Sequence, residues 1–199
     1  MEKILVVIDA GHYGVTYNQG FHPDYFESKQ MWMMSYYLRK YLTWYGFKVK
    51  ITRSKYTNPS LASRGALACR TKGYDEVVFI SNHSNASDDL NIRGSEIFIS
   101  KFLPESKELG EMIVDTISKT MNTKNRGVKT RVNPKNDMDY YGVIKASVGN
   151  NKVDQCHYSY LIEYGFHTNE FDCNFLNSNS NLKKLARNVA RVLKKYFNK

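Results

Sequence analysis

Short runs of aliphatic residues recur along the chain and are separated by longer, more polar stretches. Five runs predict β-strands, at Lys3–Ile8, Phe47–Thr52, Glu76–Ser81, Ser95–Ser100 and Ser159–Glu163. A weaker strand pattern lies at Gly127–Thr130. Because the runs are continuous rather than alternating, they are typical of strands whose two faces are both covered by other elements.

Apolar residues at helical spacing occupy the stretches between these strands. Four helices are predicted, at Glu27–Tyr45, from Asn58-Pro59 to Gly73, from Pro104 onward, and from Ser180 toward the C-terminus. Gly46 suits the residue after a helix C-terminus, and Ser180 suits an N-cap. In the last helix the apolar positions form an inward stripe: Leu182, Leu185, Ala186, Val189, Leu193 and Tyr196.

The alternation of strands and helices predicts an α/β fold. We expect residues 1–199 to form a single domain around a twisted, mostly parallel (mixed) sheet of about six strands, with helices on both faces. The polar segment Asn122–Asp139, rich in Asn and Lys, is predicted to be a mobile loop.

Composition narrows the class of protein. A chain of 199 residues that is 42% hydrophobic and 14% aromatic indicates a folded globule with a sizeable core. No apolar run approaches the roughly 18 residues of a membrane-spanning helix, so no membrane insertion is expected. The N-terminus lacks the features of a signal peptide and is expected to be the first strand, in a protein made in the cytoplasm.

The three cysteines, Cys69, Cys156 and Cys173, are odd in number and widely spaced. This pattern matches neither a disulfide framework nor a Cys-x-x-Cys metal pair. Buried thiols are the favoured interpretation, and a catalytic cysteine is the weaker one.

The net charge is +10, and residues 182–199 carry seven Lys or Arg and no acid. A basic surface of this kind favours an anionic partner, such as nucleic acid, a membrane surface or an acidic polymer. The alternative is a solvated helix face without a partner.

Three chemically active residues come at the ends of predicted strands. His12, in Asp9-Ala10-Gly11-His12, follows the first strand, His83 follows the third, and Glu163 closes the fifth. The carboxyl ends of parallel strands converge on one crevice, where ligands bind. Two imidazoles and a carboxylate at that edge predict a metal site with a base beside it.

A third metal ligand is expected from an acid that reaches the same edge. Glu27 fits, because it opens the first predicted helix and helix N-termini face the carboxyl ends of the strands in α/β folds. Zinc favours His nitrogen with carboxylate oxygen as a further ligand, and a catalytic site keeps one position open. Each residue alone is more often structural, since a Glu in a first helical turn usually contacts the helix dipole. Together they favour a metal hydrolase.

The ordered set of motifs resembles the zinc-dependent N-acetylmuramoyl-L-alanine amidases of the amidase-3 family, which includes autolysins, sporulation amidases and phage endolysins. The motifs are Asp9-Ala10-Gly11-His12, Glu27, Thr52-Arg53, Arg64, Ile80–Asn85, Gly94-Ser95-Glu96, and Leu161–Phe166 with Asn169. The resemblance runs from about residue 3 to the C-terminus.

The resemblance implies one zinc ion per chain, held by His12, Glu27 and His83, with Glu163 as the catalytic carboxylate. The substrate it implies is peptidoglycan, cut at the amide between the lactyl group of N-acetylmuramic acid and L-alanine, with lysis of the cell wall. The chain departs from the family at Tyr13, where Gly is usual, and at Asn82, where an aliphatic residue is usual. Both lie beside proposed ligands, and neither removes one.

Four further residues have predicted supporting roles around the metal or the substrate. Asp9 is expected either to accept a hydrogen bond from the free ring nitrogen of a ligand histidine or to cap the turn after the first strand. Asn85 is expected to hold its loop, and Arg64 to act near the ligands or the substrate. His167 is predicted to line the substrate groove, with a surface histidine as the alternative.

Two other histidines are weaker candidates for the site. His22 could approach the metal from the loop that precedes the first helix. His157 precedes the fifth strand, so it is expected at the opposite end of the sheet and is excluded.

Three alternative functions remain open from the residues alone. A zinc exopeptidase of similar architecture is the nearest, because it would use the same ligands. A basic nucleic-acid-binding module has the charge but lacks an aromatic-basic strand motif and zinc-finger spacing, so no nucleic-acid partner is expected. A non-catalytic wall-binding protein is disfavoured by the complete ligand set with Glu163. No oligomer is implied.

The place of action follows from the resemblance. We expect synthesis in the cytoplasm without a signal peptide and action on the bacterial cell wall after release, and we favour an endolysin over a host autolysin or sporulation enzyme. No separate cell-wall-binding domain is seen in the sequence. The basic C-terminal helix is therefore the candidate for contact with an anionic wall polymer.

Overall fold

The computed structural model describes residues 2–149 and 156–198. Its strands are β1 (Ile4–Ala10), β2 (Lys48–Ile51), β3 (Glu76–Asn85), β4 (Ser95–Ile99), β5 (Asn125–Thr130), β6 (Val132–Asn133), β7 (Met138–Asp139) and β8 (Tyr158–Phe166). Its helices are α1 (Glu27–Trp44), α2 (Leu61–Cys69), α3 (Ser106–Met121), α4 (Gly142–Val148), α5 (Glu170–Leu176) and α6 (Asn179–Tyr196).

Six strands form the main sheet, in the order β2-β1-β3-β8-β4-β5. Neighbouring strands are parallel except at β8 and β4, which pair antiparallel. β6 and β7 form a separate two-stranded sheet. The predicted α/β class with a mostly parallel mixed sheet of about six strands is therefore confirmed.

Two hydrophobic cores cover the two faces of the sheet. On one face, side chains such as Val6, Ile80 and Ile162 pack against α1, α3 and α6. On the other face, Val7 and Leu161 are among the strand residues that pack against α2 and α4. Alternate residues of β1 and β8 supply the two cores, which explains why their sequences are apolar without a polar face.

The central strands extend further toward the site than the aliphatic runs predict. β1 continues through Asp9 and Ala10, β3 continues to Asn85, and β8 continues to Phe166. His83 therefore lies within a strand rather than after it, and Glu163 lies inside its strand rather than at its end. The polar residues at the ends of β3 and β8 still pair across the two strands. His83 lies directly opposite Glu163 in this pairing.

Several predicted helix boundaries are wrong. α2 begins at Leu61 because Ser60, not Asn58, is the N-cap and accepts a hydrogen bond from the backbone N–H of Ser63, and the helix ends at Cys69 before Gly73. α3 begins at Ser106, after Pro104. Ser180 lies inside α6, whose N-cap is Ser178. Gly46 does follow α1, with a φ of +89° that suits glycine.

The segment predicted to be a mobile loop, Asn122–Asp139, contains β5, β6 and β7. Pairing with β4 orders its first part, since Val128 and Lys129 lie opposite Ile97 and Phe98. The weaker strand pattern at Gly127–Thr130 is therefore confirmed, as part of β5, and the loop prediction is wrong there because the low apolar content of this edge strand made its pattern weak.

The inward stripe of α6 is buried as predicted, except that Tyr196 is only half-buried. The three cysteines are buried, in agreement with the favoured interpretation. None of the described helices is long and apolar enough to span a lipid bilayer.

Candidate metal centre and active site

Three side chains from distant parts of the chain meet at the carboxyl ends of β1 and β3. His12 follows β1, Glu27 is the first residue of α1, and His83 lies in β3. One ligand atom from each lies within 4.8 Å of the others. The Nε2 atom of His12 is 3.0 Å from one oxygen of Glu27, and the Nδ1 atom of His83 is 3.1 Å from the other.

The turn that presents His12 is held by two buried arginines. His12 has a φ of +58°, in the left-handed region that non-glycine residues rarely adopt. Arg53 donates hydrogen bonds to the carbonyls of Ala10 and Gly11, at 2.8 and 2.9 Å. Arg64 donates to the carbonyls of Ala10 and His12, at 3.0 and 2.6 Å. These bonds satisfy the buried carbonyls of the turn and keep the His12 backbone in its strained conformation.

A side chain at Gly11 would clash with the second histidine. A Cβ atom there would lie 2.5 Å from the Cε1 atom and 2.6 Å from the Nδ1 atom of His83. The absence of a side chain at this position allows the backbone after β1 to approach the His83 ring closely.

Glu27 is the buried centre of the cluster, with only 1% of its surface exposed. It accepts a hydrogen bond from the backbone N–H of Ser84 at 3.0 Å and one from the side-chain amide of Asn18 at 2.8 Å. Burial alone would raise the pKa of Glu27, but the hydrogen bonds and charges of His12 and His83 hold it well below its usual range. The carboxylate is therefore ionised and ready to bind a cation.

The donor set fits a zinc ion. Two imidazole nitrogens and one carboxylate oxygen are common catalytic zinc ligands, and tetrahedral bonds of 2.0–2.2 Å would set the donor atoms about 3.4 Å apart. In the structure each histidine faces a different oxygen of Glu27, at 3.0 and 3.1 Å, so both rings lie beside the carboxylate that would share the ion with them. The three residues come together as the sequence predicts, and all three line one cavity.

Glu163 lies next to this cluster, on the strand beside β3. It is 8% exposed, and its Oε2 atom has no hydrogen-bond partner within the described part of the chain. Burial raises its pKa to about 8, although the charge of His83 opposes this rise. A buried carboxyl group with a pKa near neutrality and an unpaired oxygen is suited to accepting and returning protons.

A pocket of about 710 Å³ opens over the cluster. Half-exposed Tyr13 and Tyr17 form part of its wall, and the ring of Tyr17 stacks on His12 with centroids 4.9 Å apart. Pro59, Leu61 and Tyr141 form an apolar part of the wall. The volume falls in the range of sites that take small organic groups.

The predicted role of Asp9 as a histidine partner is wrong. Its carboxylate accepts hydrogen bonds from the hydroxyls of Thr52 and Ser81 and forms an ion pair with Arg64 at 3.3 Å. Asp9 therefore holds β1, β3 and α2 together beneath the site. Arg64 contacts the backbone of the His12 turn, which agrees with its expected place near the ligands.

The other predicted residues lie close to the pocket. Asn85 donates to Glu96 at 2.8 Å and accepts from the backbone N–H of Ala86, so it holds its loop as expected. His167 lines the pocket and is buried against Ser84, with 2.9 Å between its Nδ1 atom and the Ser84 hydroxyl. Burial lowers the pKa of His167, which favours the neutral form of its ring.

Neither weaker histidine candidate joins the site. The His22 ring contacts Asn174 and does not line the pocket. His157 accepts a hydrogen bond from the backbone N–H of Val77 near the start of β3, at the opposite end of the sheet, as predicted.

Three further residues shape the site, and the sequence indicates no individual role for them. Arg53 supports the His12 turn, Asn18 supports Glu27, and Glu96 lies opposite Glu163 in the pairing of β4 with β8. A charged residue within the apolar run of β4 was the available signal for Glu96, which is 5% exposed.

We expect metal binding to strengthen as the pH rises. Burial alone would lower the pKa of His83. The hydrogen bond with Glu27 and the negative charge of Glu27 outweigh burial and raise this pKa to about 9. In the metal-free protein this ring is protonated at pH 7, and a metal binds only the neutral imidazole. Affinity should therefore rise about tenfold per pH unit for each displaced proton until His83 is deprotonated. Zinc titration calorimetry in buffers of different ionisation enthalpy measures the released proton, and an affinity independent of pH between about 6 and 8.5 would contradict this prediction.

The α/β sheet, the His-Glu-His cluster that could hold a metal ion at its carboxyl edge, and the adjacent buried glutamate are together typical of a hydrolase. The model of the N-acetylmuramoyl-L-alanine amidase family, Amidase_3, matches residues 6–195. The chain belongs to this family, and it is an amidase that hydrolyses peptidoglycan. The family match favours amidase activity over the exopeptidase and the non-catalytic alternatives.

Solved structures share the fold across the chain. Cwp6 from Clostridium difficile is 28% identical with a TM-score of 0.80, over 96% of this chain and 29% of that chain. An N-acetylmuramoyl-L-alanine amidase from Clostridium difficile 630 is 22% identical with a TM-score of 0.81, over 100% of this chain and 98% of that chain. The catalytic domain of CwlV from Bacillus (Paenibacillus) polymyxa var. colistinus is 21% identical with a TM-score of 0.78, over 98% of each chain. Among curated proteins the comparison found no match.

Proposed function

We propose that the chain hydrolyses the amide between the lactyl group of N-acetylmuramic acid and L-alanine with one zinc ion held by His12, Glu27 and His83. Glu163 acts as the general base and acid, and the enzyme acts on the bacterial cell wall. The observation that carries the proposal is the pairing of His83 with Glu163 on adjacent strands, which puts a proton acceptor directly beside the ligand cluster.

Glu163 performs both proton transfers. Its carboxylate takes a proton from the attacking water, whose oxygen bonds to the carbonyl carbon of the amide. It returns that proton to the amide nitrogen as the carbon–nitrogen bond breaks. The products are the carboxylate of the lactyl group and the free amine of L-alanine.

The remaining residues hold the reacting groups in place. A zinc ion, when bound, polarises the amide carbonyl and makes water a stronger acid. Arg53 and Arg64 fix the His12 turn, and the Ser84 N–H orients Glu27. The walls of the pocket exclude bulk water from the carboxyl group of Glu163, which keeps its proton affinity high.

Product analysis of purified muropeptides tests the proposal. We expect glycan with a free lactyl carboxylate together with an intact stem peptide that begins with L-alanine. Dialysis against a chelator should abolish this activity, and added zinc should restore it. Release of single amino acids from the stem peptide would instead indicate an exopeptidase, and full activity after verified metal removal would contradict the zinc assignment.

Outside the substrate pocket, the basic face of α6 is a candidate for contact with the bacterial cell wall. We propose that it binds an anionic wall polymer, because Lys183, Lys184, Arg187, Arg191, Lys194 and Lys195 are all exposed on it. Such attraction acts over roughly 10 Å at 0.1 M salt and does not require a shaped pocket.

Neutralising part of this face should weaken wall association. The triple variant with Arg191, Lys194 and Lys195 changed to Gln should bind purified walls more weakly at low salt, with the difference vanishing at high salt. A matched control changes Lys3, Arg70 and Lys72, which are exposed outside α6. Cosedimentation with walls measures binding, and equal binding of the two triple variants would contradict a specific role for α6.

A further inference from the structure

A row of charged side chains crosses the sheet beyond the metal ligands. His83 on β3 lies opposite Glu163 on β8, and Glu163 lies opposite Glu96 on β4. The next strand is the edge strand β5, whose Arg126 and Lys129 both contact Glu96. The row therefore runs from the proposed metal centre, through the proposed catalytic carboxylate, to a pair of cations.

The carboxylate of Glu96 accepts hydrogen bonds from three side chains. One of its oxygens accepts a hydrogen bond from Asn85 at 2.8 Å. The other accepts from the Nε atom of Arg126 at 3.0 Å and from the Nζ atom of Lys129 at 2.5 Å. One carboxylate thus faces two cations, so the cluster carries an excess positive charge.

Arg126 is positioned to bind a further anion. In the described part of the chain it donates a hydrogen bond through Nε to Glu96, and its two terminal nitrogens donate no hydrogen bond to a protein acceptor. The guanidinium carbon lies 5.1 Å from the centre of the Phe166 ring, which supports its plane. The side chain of Arg126 is 27% exposed and that of Lys129 is 40% exposed, so solvent and ligands reach both. Free terminal nitrogens of arginine match the two oxygens of a carboxylate.

The cation pair adjoins the wall of the substrate pocket. Asn85 lines the pocket and contacts Glu96. Tyr141 also lines the pocket, and its ring packs against Phe98, the residue opposite Lys129 in the pairing of β4 with β5. A ligand that extends along the sheet from Glu163 therefore reaches this pair.

The direction in which the peptide leaves the centre follows from the acid role of Glu163, and this step rests on the proposed function. The group that protonates the leaving amine must lie beside the amide nitrogen. The stem peptide begins at that nitrogen, so it extends past Glu163 toward β4 and β5, while the muramyl group lies on the side of β1.

We propose that Arg126, assisted by Lys129, binds the carboxylate carried by the residue that follows L-alanine in the stem peptide. In peptidoglycans this residue is a glutamate joined through its side chain, with its α-carboxylate either free or amidated. The subsite makes the enzyme selective for the free carboxylate, since an amide offers neither the charge nor two acceptor oxygens.

The dimensions agree with this assignment. β3 and β5 are separated by three strand spacings, about 14 Å. Two extended residues span about 7 Å, and the inward reach of the Arg126 side chain covers the remainder.

Two pairs of muramyl pentapeptides test the subsite. The first pair differs only at the second residue, which carries a free α-carboxylate or its amide, with lysine third. The second pair has lysine or diaminopimelate third, which separates the proposed carboxylate from one further along the peptide. We expect the wild-type enzyme to prefer the free carboxylate at residue two about tenfold in kcat/KM, mainly through KM. The change at residue three should have little effect.

Variants assign the preference to the cation pair. Arg126→Gln should lose the preference, with kcat/KM about tenfold lower for the free carboxylate and nearly unchanged for the amide. Arg126→Lys should keep part of the preference, and Lys129→Met should reduce it less than Arg126→Gln does. Lys119→Met is the matched control, since that exposed side chain on α3 pairs with Asp115.

The outcomes separate this subsite from the proposed function. If the wild-type enzyme cuts both members of the first pair equally well, or if Arg126→Gln lowers both rates by the same factor, the subsite is wrong while the amidase assignment stands. If a preference appears only in the second pair, the carboxylate assignment is wrong. If none of these muramyl peptides is cut, both the proposed function and the subsite fail.

Discussion

Changing Glu163 to glutamine should abolish hydrolysis and leave metal binding intact. Glutamine keeps the size of the side chain but cannot accept the proton of the attacking water. General acid–base catalysis contributes about 10²- to 10⁴-fold to rate, so kcat should fall by at least 100-fold. The fall should appear in kcat and kcat/KM together, because the proton transfer is made in the transition state. Muropeptide kinetics measure both constants, and elemental analysis measures the bound zinc.

The environment of Glu163 allows a loss of hydrolysis to be distinguished from a loss of metal binding. Its Oε2 atom has no hydrogen-bond partner among the described residues, so the amide of glutamine breaks no hydrogen bond of that oxygen. The matched control is Glu111→Gln on α3, where the carboxylate is 57% exposed and, within the described part of the chain, forms a long pair with Lys107 at 3.8 Å. Undiminished kcat in the Glu163 variant would remove this residue from the mechanism.

Changing His83 to alanine should eliminate zinc from the protein. Loss of a residue that merely orients a ligand typically lowers metal affinity 10- to 100-fold, so loss of a ligand should lower it by more than about 100-fold. The variant also leaves the buried carboxylate of Glu27 without one of its two histidine partners. We therefore expect a lower melting temperature as well as lost activity. Elemental analysis after gel filtration gives the zinc content.

His22→Ala is the control for this variant. His22 is the other histidine that the sequence offered as a possible ligand, and its ring contacts Asn174 instead. This control should retain about one zinc ion per chain. If the His83 variant keeps the same zinc content as the control while remaining folded by circular dichroism, the ligand assignment fails.

The sheet and the meeting of His12, Glu27 and His83 were predictable because they depend on local signals. Aliphatic runs locate the central strands, and the carboxyl ends of parallel strands converge whatever the details of the helices. Glu27 could be added because a first helical turn faces that edge. The fold is confirmed, while the roles of the metal ligands and of Glu163 remain predictions that the two variants above test.

Features that depend on contacts between distant residues were not predictable. The carboxylate of Asp9 binds Thr52, Ser81 and Arg64, which are 43 to 72 positions away, rather than a ligand histidine. An apolar run does not indicate the direction of a strand. The antiparallel pairing of β4 with β8, which places Glu96 opposite Glu163, could therefore not be predicted.

Short elements and alternative caps also escaped prediction. α4 and α5 have seven residues each, which is too few for a clear helical period. Near the start of α6, Ser178 and Ser180 are both good N-cap residues, and the structure uses Ser178. Sequence preference does not distinguish two serines two positions apart.

The arginine contacts at the His12 turn have a consequence for how the enzyme matures. Arg53 and Arg64 reach this turn from 42 and 52 positions away, and Glu163 pairs with His83 across 80 positions. No short fragment contains all of these residues, and a chain that ends before β8 lacks Glu163, the proposed proton carrier. The proposed mechanism therefore requires the completed fold, and one proteolytic cut between β3 and β8 that separates the two pieces should inactivate the enzyme.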